Sequence, residues 1–327
     1  MRRLTIGAAL FTTAVIVCGA WASTSHAVQT SCTPGITYWS LLESVEVGYV
    51  DGRLNIGRLY AVCLPSPAQQ STSAYAYDPD AGGKLTTVIK SADGKVLNTY
   101  VWYGESIGGL WELSRYKVLG GYQSIKPLTA GSYLLEFAAE DKPFYRFPFS
   151  VVVGKNEDPY QPAGTRYFID GAWNDYGNIF YQRNDPQSPL RFTTWVRNTH
   201  GIDNKTSAPY ELKLISLKNG RLVGQDSGTL LLQPRWLKAD LLLQPANGAK
   251  GSYLKAAELL TEDGGYVFRL TIDGKSYGDY AFDVKSGRIQ FQGKQIAEKT
   301  APMDHIVDYM SGGRYSSWWI KRGPATR

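Results

Sequence analysis

One short segment carries a pattern suited to nucleophilic chemistry. Residues 104–109 read GESIGG and place Ser106 at the centre of a Gly-x-Ser-x-Gly motif. Where this motif forms a sharp strand-to-helix turn, a histidine activates the serine hydroxyl and backbone N–H groups stabilise the oxyanion. Residues 96–103 read as a strand and residues 110–119 as a short helix. Ser106 is therefore a candidate nucleophile.

The wider sequence gives this nucleophile little support. The segment is similar to the local sequence of carboxylesterases, but the chain lacks the alternating strand and helix units that an α/β-hydrolase needs. Outside the predicted leader the histidines are His200 and His305, both on expected loops or ends. The corresponding residues 228–233 of the second half read GTLLLQ and contain no serine. We therefore expect a glycine-rich connection between strands, and a serine hydrolase using Ser106 is the enzyme alternative.

A second segment has the residue types of a ligand-binding turn. Residues 170–178 read DGAWNDYGN, which combines carboxylates, amides and aromatic rings around glycines. Aromatic rings with polar edges suit sugar rings or protein partners. The predicted ligand-binding residues are Asp170, Trp173, Asn174, Asp175 and Tyr176. The alternative is a turn in which the Asp and Asn side chains bond the local backbone. Residues 78–83, which read DPDAGG, are expected to be a turn.

Neither a metal nor a cofactor is predicted. Two well-separated histidines do not make a zinc-type cluster, and the sequence has no P-loop or dinucleotide fingerprint. The cysteines that follow the predicted leader are Cys32 and Cys63. In an oxidising compartment we expect them to form one disulfide, with two free or buried thiols as the alternative.

The N-terminus predicts export. Arg2 and Arg3 precede an uncharged, mostly apolar run over residues 4–18, and small residues follow it. This is the layout of a secretory signal peptide, which we assign to residues 1–27. An uncleaved membrane anchor is the alternative, because the apolar run approaches the length of a spanning helix. The expected location is the periplasm, the cell surface or the exterior.

The charge of the chain argues against nucleic acid as a partner. The formal net charge is +6, and removing Arg2 and Arg3 with the leader leaves +4. This mild excess is spread along the chain without a dense block of Lys and Arg. It is compatible with an anionic surface polymer or a lipid headgroup.

The two halves of the chain repeat one pattern of strands and turns. Residues 128–137 (LTAGSYLLEF) match residues 260–270 (LTEDGGYVFRL) about 130 residues later. Asp93-Gly94, Asn219-Gly220 and Asp273-Gly274 lie between β-forming runs and favour two-residue type I′ hairpins. Helical periodicity is scarce, and its other short candidates are residues 254–260 and 304–310. Short strands with frequent turns indicate a sandwich or a barrel.

The repeated segments resemble the tyrosine corner of immunoglobulin-like and fibronectin-III-like β-sandwiches. In that corner a tyrosine at the start of a strand hydrogen-bonds back to the preceding residues. Tyr133 and Tyr266 occupy this position in the two halves. The resemblance covers about 25 residues of each half, and the Cys–Trp–Cys core of antibody domains is absent. It implies an all-β chain of two tandem antiparallel β-sandwich domains that arose by internal duplication.

A polar, proline-containing segment separates the two predicted domains. The first domain is assigned to residues 28–155, the linker to 156–164 and the second domain to 165–290. A C-terminal extension follows over residues 291–327, either as an extra strand packed on the second domain or as a partly mobile tail. Its Trp318-Trp319-Ile320-Lys321-Arg322 run also suits peripheral contact with a membrane surface or a partner protein.

Aromatic residues are abundant, with 22 Tyr and nine Trp. Trp102 and Tyr103 are adjacent, so within a strand one faces each side of the sheet. Any aromatic surplus on an exposed face is a binding platform. We therefore expect a non-enzymatic exported binding protein that presents loops or an aromatic face to a polysaccharide or an envelope protein. The alternatives are an envelope assembly, structural or chaperone-like component and the Ser106 hydrolase.

Overall fold

The chain folds almost entirely into antiparallel β-strands, which confirms the all-β class. The computed structural model describes residues 32–67, 75–155, 165–197, 206–233, 235–249, 251–309 and 314–324. The predicted leader, residues 1–27, and the predicted linker, residues 156–164, lie outside the described residues.

The described residues of the first half form ten strands. They are β1 (Gly35–Ile36), β2 (Val45–Val47), β3 (Leu54–Ile56), β4 (Leu59–Val62), β5 (Leu85–Ser91), β6 (Val96–Ile107), β7 (Leu110–Val118), β8 (Gly131–Ala139), β9 (Lys142–Lys155) and β10 (Thr165–Asp170). Eight of them form the first sheet in the order β1-β4-β7-β6-β5-β8-β9-β10, and β2 pairs with β3. Burial alternates along β5 and β8, as expected for strands that turn one face to a core.

Ten more strands form in the part of the second half that the structure describes. They are β11 (Tyr176–Gln182), β12 (Arg191–Val196), β13 (Thr206–Ser216), β14 (Leu222–Leu232), β15 (Leu237–Leu242), β16 (Gln244–Pro245), β17 (Gly264–Ile272), β18 (Lys275–Lys285), β19 (Arg288–Ile289) and β20 (Tyr315–Gly323). The second sheet has the order β15-β12-β11-β20-β18-β17-β13-β14-β16, and β19 pairs with β18.

Helices are short and connect strands. The α-helices are α1 (Tyr38–Ser44), α2 (Ala172–Asp175) and α3 (Ala256–Leu260); the 3₁₀ turns are Pro79–Ala81, Tyr122–Ser124, Gly293–Gln295 and Ala297–Lys299. The helix predicted at residues 254–260 corresponds to α3. The helix predicted at residues 110–119 is wrong, because the chain reverses at Gly108-Gly109 and returns as β7 beside β6. No helix forms at residues 304–309, the described part of another predicted helix.

The hairpin turns divide into two kinds. Asp273 and Gly274 both have positive φ angles, 52° and 68°, so this turn is the predicted type I′. At Asp93-Gly94 and Asn219-Gly220 the glycine alone has positive φ, and the flanking ladders contain a register shift. The two-residue type I′ prediction is wrong for these two turns, which are longer and bulged.

Both halves contain the same set of four neighbouring strands. The order β9-β8-β5-β6 in the first sheet corresponds to β18-β17-β13-β14 in the second. Tyr133 lies opposite Phe149 and stacks on it at 5.6 Å between centroids; Tyr266 lies opposite Phe282 at 5.7 Å. The shared order and register support the predicted duplication, which stays a prediction.

The C-terminal strand lies inside the second sheet. Strand β20 pairs with β11 along seven residue pairs and touches β18 at two more. This agrees with the extra-strand alternative for the tail. Strand β10, which we assigned to the second domain, pairs instead with β9 of the first sheet.

The two halves also share a buried aromatic cluster. The first hydrophobic core includes residues from both halves of the chain. Tyr38 of the first half lies in it together with four aromatic residues of the second half, Trp173, Tyr176, Trp195 and Trp319. The Tyr38 ring lies edge-on to Trp319 at 4.9 Å and to Tyr176 at 5.8 Å. A second core fills the rest of the second half.

Candidate functional site

The predicted ligand-binding turn lies at the junction of the two sheets. Asp170 ends β10, Gly171 turns the chain with a φ of 95°, and α2 follows. The Trp173 indole is buried and donates its N–H to the Leu42 carbonyl at 2.6 Å. Tyr176 is also buried. Both aromatic rings that we expected a ligand to contact are therefore buried inside the protein.

The polar residues of this turn mostly bond each other. The Asp170 carboxylate accepts the Gly171 backbone N–H at 3.1 Å and the Asn174 side-chain amide. Asp175 is the exposed member. Desolvation raises the pKa of its carboxyl, and the nearby cations of the second half oppose that shift. This arrangement resembles the alternative, a turn whose Asp and Asn side chains form local hydrogen bonds. The ligand-binding role of the five residues stays a prediction.

Ser106 lies in a hairpin. It is the penultimate residue of β6, followed by Ile107 and then the Gly108-Gly109 turn. It pairs with Trp111 of β7, and its side chain is exposed. Gly108 and Gly109 have φ angles of 58° and 88°, which suit a two-residue turn between strands. A nucleophile elbow needs a helix at this point, and β7 occupies it.

The two histidines considered as bases do not complete a catalytic set in the described structure. His305 is buried, and its Nδ1 lies 2.6 Å from the Pro302 carbonyl oxygen. His200 lies outside the part of the chain that the structure describes. The geometry of Ser106 therefore gives no support to the hydrolase alternative.

Most tryptophans belong to the interior. Trp102, Trp173, Trp195 and Trp319 are among the largest fully buried side chains. The adjacent Trp102 and Tyr103 do face opposite sides of β6: Trp102 donates its N–H to the Thr87 hydroxyl inside, and Tyr103 lies on the outer face. On the outer face of the first sheet, Tyr103 therefore brings an aromatic ring to the solvent boundary.

A cluster of aromatic and charged side chains surrounds Tyr103. The β6–β7 register sets Tyr103 opposite Arg115 and Val101 opposite Lys117, so both cations flank the same ring. The Tyr75 ring lies edge-on to Tyr103 at 5.2 Å. The Arg115 guanidinium carbon and the Lys117 Nζ lie 5.9 Å and 5.7 Å from the Tyr103 ring centroid. We call Tyr75, Asp80, Tyr103, Arg115 and Lys117 the Tyr103 face.

Hydrogen bonds fix the orientation of this face. The Tyr103 hydroxyl donates to Asp80 Oδ2 at 2.8 Å, and the Lys117 ammonium forms an ion pair with the same carboxylate. Both bonds lower the pKa of the Asp80 carboxyl, and the bond from Lys117 has the larger effect. The Arg115 guanidinium contacts the Tyr75 hydroxyl at 3.4 Å. Among the described residues Arg115 has no carboxylate partner, so its charge is available to an anion.

Sequence reasoning identified Tyr103 as one of a pair facing opposite sides and missed the cations beside it. Arg115 and Lys117 are two residues apart, which places them on one face of a strand. That signal was hidden because residues 110–119 were assigned to a helix. Asp80, in the turn predicted at residues 78–83, reaches the face through tertiary folding alone.

A separate apolar groove lies beside the disulfide. It has a volume of about 580 Å³, and prolines, Phe144 and Met303 form most of its wall. Glu140 and Lys142 are its charged lining residues. Cys63, also on the wall, is disulfide-bonded, as is Cys32, in agreement with the predicted bridge. An apolar wall of this kind offers few hydrogen-bond partners to the hydroxyl groups of a sugar.

The aromatic tail does not offer its tryptophans to a membrane surface. Trp318 is 8% exposed and Trp319 is 1% exposed, because β20 lies between two other strands. Lys321 is exposed on the same strand. We predicted that the tail contacts a surface through Trp318 and Trp319. The structure corrects this for both tryptophans, because an interior strand buries their rings.

Metal-type and membrane-type features are also absent from the described ranges. No group of three or more His, Cys, Asp or Glu side chains there is arranged to hold a metal ion. No helix in the same ranges has the length and apolar character to cross a bilayer.

Comparisons with known proteins do not assign a family. No protein-family model matches the chain, and no curated protein matches it. Among solved structures the chain is similar to a glycosyl hydrolase family 2 (GH2) member from Bacteroides cellulosilyticus, with 11% sequence identity and a TM-score of 0.22. The match covers 72% of this chain and 28% of that chain. A TM-score this low carries no argument about function.

Proposed function

We propose that this chain is an exported, non-enzymatic binding protein that takes up an acidic polysaccharide on the Tyr103 face. The observation that carries the proposal is the Arg115 guanidinium, exposed beside an aromatic ring and without a carboxylate partner among the described residues. A guanidinium binds a carboxylate through two parallel hydrogen bonds. The tyrosine ring beside it offers an apolar surface with a polar edge to the sugar ring.

The shape of the site favours a polymer over a single sugar. The Tyr103 face is the outer surface of a sheet, where β6 and β7 run side by side for eight residue pairs. A flat, open surface buries only a small part of a single sugar, whereas a chain of sugars can contact several side chains along the strands. The net charge of +4 expected after leader removal also attracts an anionic polymer.

Export is part of the same proposal. The Cys32–Cys63 disulfide fits an oxidising compartment, and the N-terminal pattern of residues 1–27 fits a signal peptide. Cell-envelope polysaccharides are ligands that an exported protein encounters.

Titration calorimetry with polygalacturonate and with neutral dextran tests this function. We expect polygalacturonate to bind and dextran to bind at least tenfold more weakly. We expect Arg115→Ala and Tyr103→Ala each to weaken polygalacturonate binding by about tenfold, the equivalent of about 1.4 kcal/mol. Binding should also weaken as salt rises, because exposed charges are screened.

Matched control variants lie on the other half of the protein. Arg288→Ala removes an equal charge from an exposed position, and Tyr253→Ala removes a tyrosine that is 47% exposed. Both controls should bind like the unmodified protein. Equal losses in the controls and in the Tyr103-face variants, or no binding of any acidic polysaccharide, would contradict the proposal.

The alternative, an envelope assembly component, has one observation in its favour. The outer edge of β14 is open over part of its length, and open edges can take up a strand from another chain. Co-purification of a stoichiometric envelope protein bound at this edge distinguishes that function from polysaccharide binding.

A further inference from the structure

Arg197 is a partly buried arginine that directly follows β12. Its guanidinium carbon lies 4.6 Å from the centroid of the Phe168 ring and 5.0 Å from that of the Trp236 ring. Desolvation lowers the pKa of this guanidinium, and the charges of Asp170 and Tyr277 oppose the shift. Among the described residues no carboxylate forms an ion pair with Arg197.

The guanidinium uses few of its hydrogen-bond donors within the described structure. Its Nη1 donates to the Ile169 carbonyl at 3.2 Å, and the Trp236 indole N–H donates to the same oxygen at 2.5 Å. A carbonyl oxygen has two lone pairs, so these two donors use its accepting capacity. The Arg197 Nε is buried and has no hydrogen-bond partner among the described residues. Since a guanidinium has five N–H donors, Arg197 can still bond another acceptor.

The groups around Arg197 do not supply this acceptor. An aromatic ring face attracts a cation and offsets part of the cost of its desolvation, but it provides no oxygen to the N–H groups. The Asp170 carboxylate is engaged in its own turn, where it accepts bonds from Gly171 and Asn174. Arg197 is therefore a desolvated cation without an ion-pair partner in the described structure, whereas buried charges in proteins are normally paired.

A small cavity lies beside this cation. It has a volume of about 40 Å³, and its wall includes residues of β2 and β10 together with Trp236. The charged residues of its wall are Arg197, Arg235 and Glu46. Arg235 and Glu46 lie 3.8 Å apart as an ion pair, so their charges offset each other. The charge that remains in the wall is that of Arg197, and it attracts an anion.

We propose that this cavity binds the carboxylate of a small organic acid, which Arg197 holds by charge-assisted hydrogen bonds. A water molecule needs about 10–15 Å³ of such space, so the cavity of about 40 Å³ holds roughly three water-sized groups. A carboxylate has three heavy atoms, and its shape and charge match those of a guanidinium. A phosphate group is larger than this space. The aromatic rings of the wall contact the carbon atoms of the acid.

This cavity is separate from the Tyr103 face. Strand β10 is the edge strand of the first sheet, four positions away from β6. Because neighbouring strands lie about 4.8 Å apart, the two strands are separated by roughly 19 Å across the sheet. Binding of a small acid beside Arg197 and binding of a polysaccharide at the Tyr103 face can therefore be lost independently.

Nuclear magnetic resonance of the purified protein tests the site through the Trp236 indole N–H, which shares the Ile169 carbonyl with Arg197. Its resonance is identified by its loss in Trp236→Phe. We expect sodium acetate to shift this resonance in a saturable way at millimolar concentrations. Sodium chloride at equal ionic strength should leave it in place, which controls for screening. Sodium phosphate should bind at least tenfold more weakly than acetate.

Two substitutions of Arg197 separate its charge from its geometry. Arg197→Met keeps a long side chain beside the rings and removes the charge, so acetate affinity should fall by about tenfold or more. Arg197→Lys keeps the charge without the planar donor set and should also weaken acetate binding. Arg288→Ala, at an exposed position, is the matched control and should bind acetate like the unmodified protein. Circular dichroism should show all three variants folded.

Polygalacturonate binding distinguishes this site from the proposed function. Arg197→Met should bind polygalacturonate like the unmodified protein, since the Tyr103 face is intact. Absence of a shift specific to acetate in the unmodified protein would overturn the proposal, whether or not polygalacturonate binds. Unchanged acetate affinity in Arg197→Met, or tighter binding of phosphate than of acetate, would overturn it as well.

Discussion

Two tyrosines close the corners that precede β8 and β17. The Tyr133 hydroxyl donates to the Thr129 carbonyl at 2.8 Å and accepts the Thr129 N–H at 3.0 Å. The Tyr266 hydroxyl donates to the Glu262 carbonyl at 2.8 Å. Both bonds reach back four residues, as the tyrosine-corner resemblance implies. At this scale each hydroxyl joins a loop to the strand that follows it.

Removing either hydroxyl should destabilise the fold. We expect Tyr266→Phe to lower the free energy of unfolding by about 1 kcal/mol, and Tyr133→Phe by about 1 to 2 kcal/mol because it also leaves the Thr129 N–H without its partner. Urea denaturation followed by fluorescence measures both. Tyr253→Phe, at an exposed position, should have almost no effect. Losses no larger than this control would show that the corners contribute nothing.

Asp308 makes the stability depend on pH. Asp308 is exposed when the whole residue is considered, but its carboxyl oxygens accept hydrogen bonds from the Ser317 hydroxyl and the Gln295 amide. Desolvation raises the pKa of Asp308 to about 6 against the opposing effect of these donors and of Arg183. The folded state therefore holds a proton that the unfolded chain releases near its ordinary pKa.

It follows that this carboxyl lowers stability as the pH rises from about 4 to about 6, and that the loss persists above pH 6. We expect Asp308→Asn to remove that part of the pH dependence, so that the stability difference between the two proteins changes across this window and is constant on either side. Thermal melts from pH 3.5 to pH 8 measure it. Parallel curves for the two proteins would contradict the raised pKa.

At the scale of elements, the Gly-x-Ser-x-Gly motif around Ser106 forms part of the β6–β7 hairpin and does not form a nucleophile elbow. The glycines that suggested a nucleophile elbow are the residues that a tight turn between strands requires. Once the chain reverses there, β6 pairs with β7 along its length, and this antiparallel ladder replaces the expected helix. Ser106 then lies on an exposed strand end.

Substitutions in this turn should separate structure from chemistry. Gly109 has a φ of 88°, so Gly109→Ala should cost about 1 kcal/mol or more. Gly108 has a φ of 58°, which asparagine tolerates, so Gly108→Asn should cost little. Ser106→Ala should leave stability unchanged. Urea midpoints check all three, and equal effects of the two glycine substitutions would count against the assigned turn.

At the scale of the whole molecule, the two halves are joined by more than the linker. Residues 33–327 form one compact unit. Strand β10 extends the first sheet, and Arg146 of the first sheet forms two hydrogen bonds with Asp304 of the C-terminal segment at 3.1 and 2.8 Å. Trp319 stacks on Trp195 at 5.9 Å and contacts Tyr38 from the first half.

These shared contacts predict a single unfolding transition. We expect calorimetry to show one peak whose calorimetric and van't Hoff enthalpies agree. Trp319→Ala should shift that whole peak downward, with a loss of about 3 to 5 kcal/mol for a large buried aromatic side chain. Two separate peaks, with Trp319→Ala moving only one, would show instead that the halves unfold as independent domains.

The sequence by itself determined the features that depend on local chemistry. Alternating β-forming residues and glycine turns predicted an all-β chain, and the paired segments around Tyr133 and Tyr266 predicted equivalent corners. The Cys32–Cys63 bridge followed from the count of cysteines. Each of these conclusions needs only neighbouring residues or simple pairing rules.

The tertiary structure decided which faces are buried and which distant strands meet. A period of two shows that Trp102 and Tyr103 face opposite ways, but the core side depends on the sheet that packs there. Likewise Trp318 and Trp319 became interior residues because β20 pairs with β11, more than 130 residues earlier. Arg115 and Asp80 meet at the Tyr103 face for the same reason: long-range pairing brings them together, and spacing along the chain does not record it.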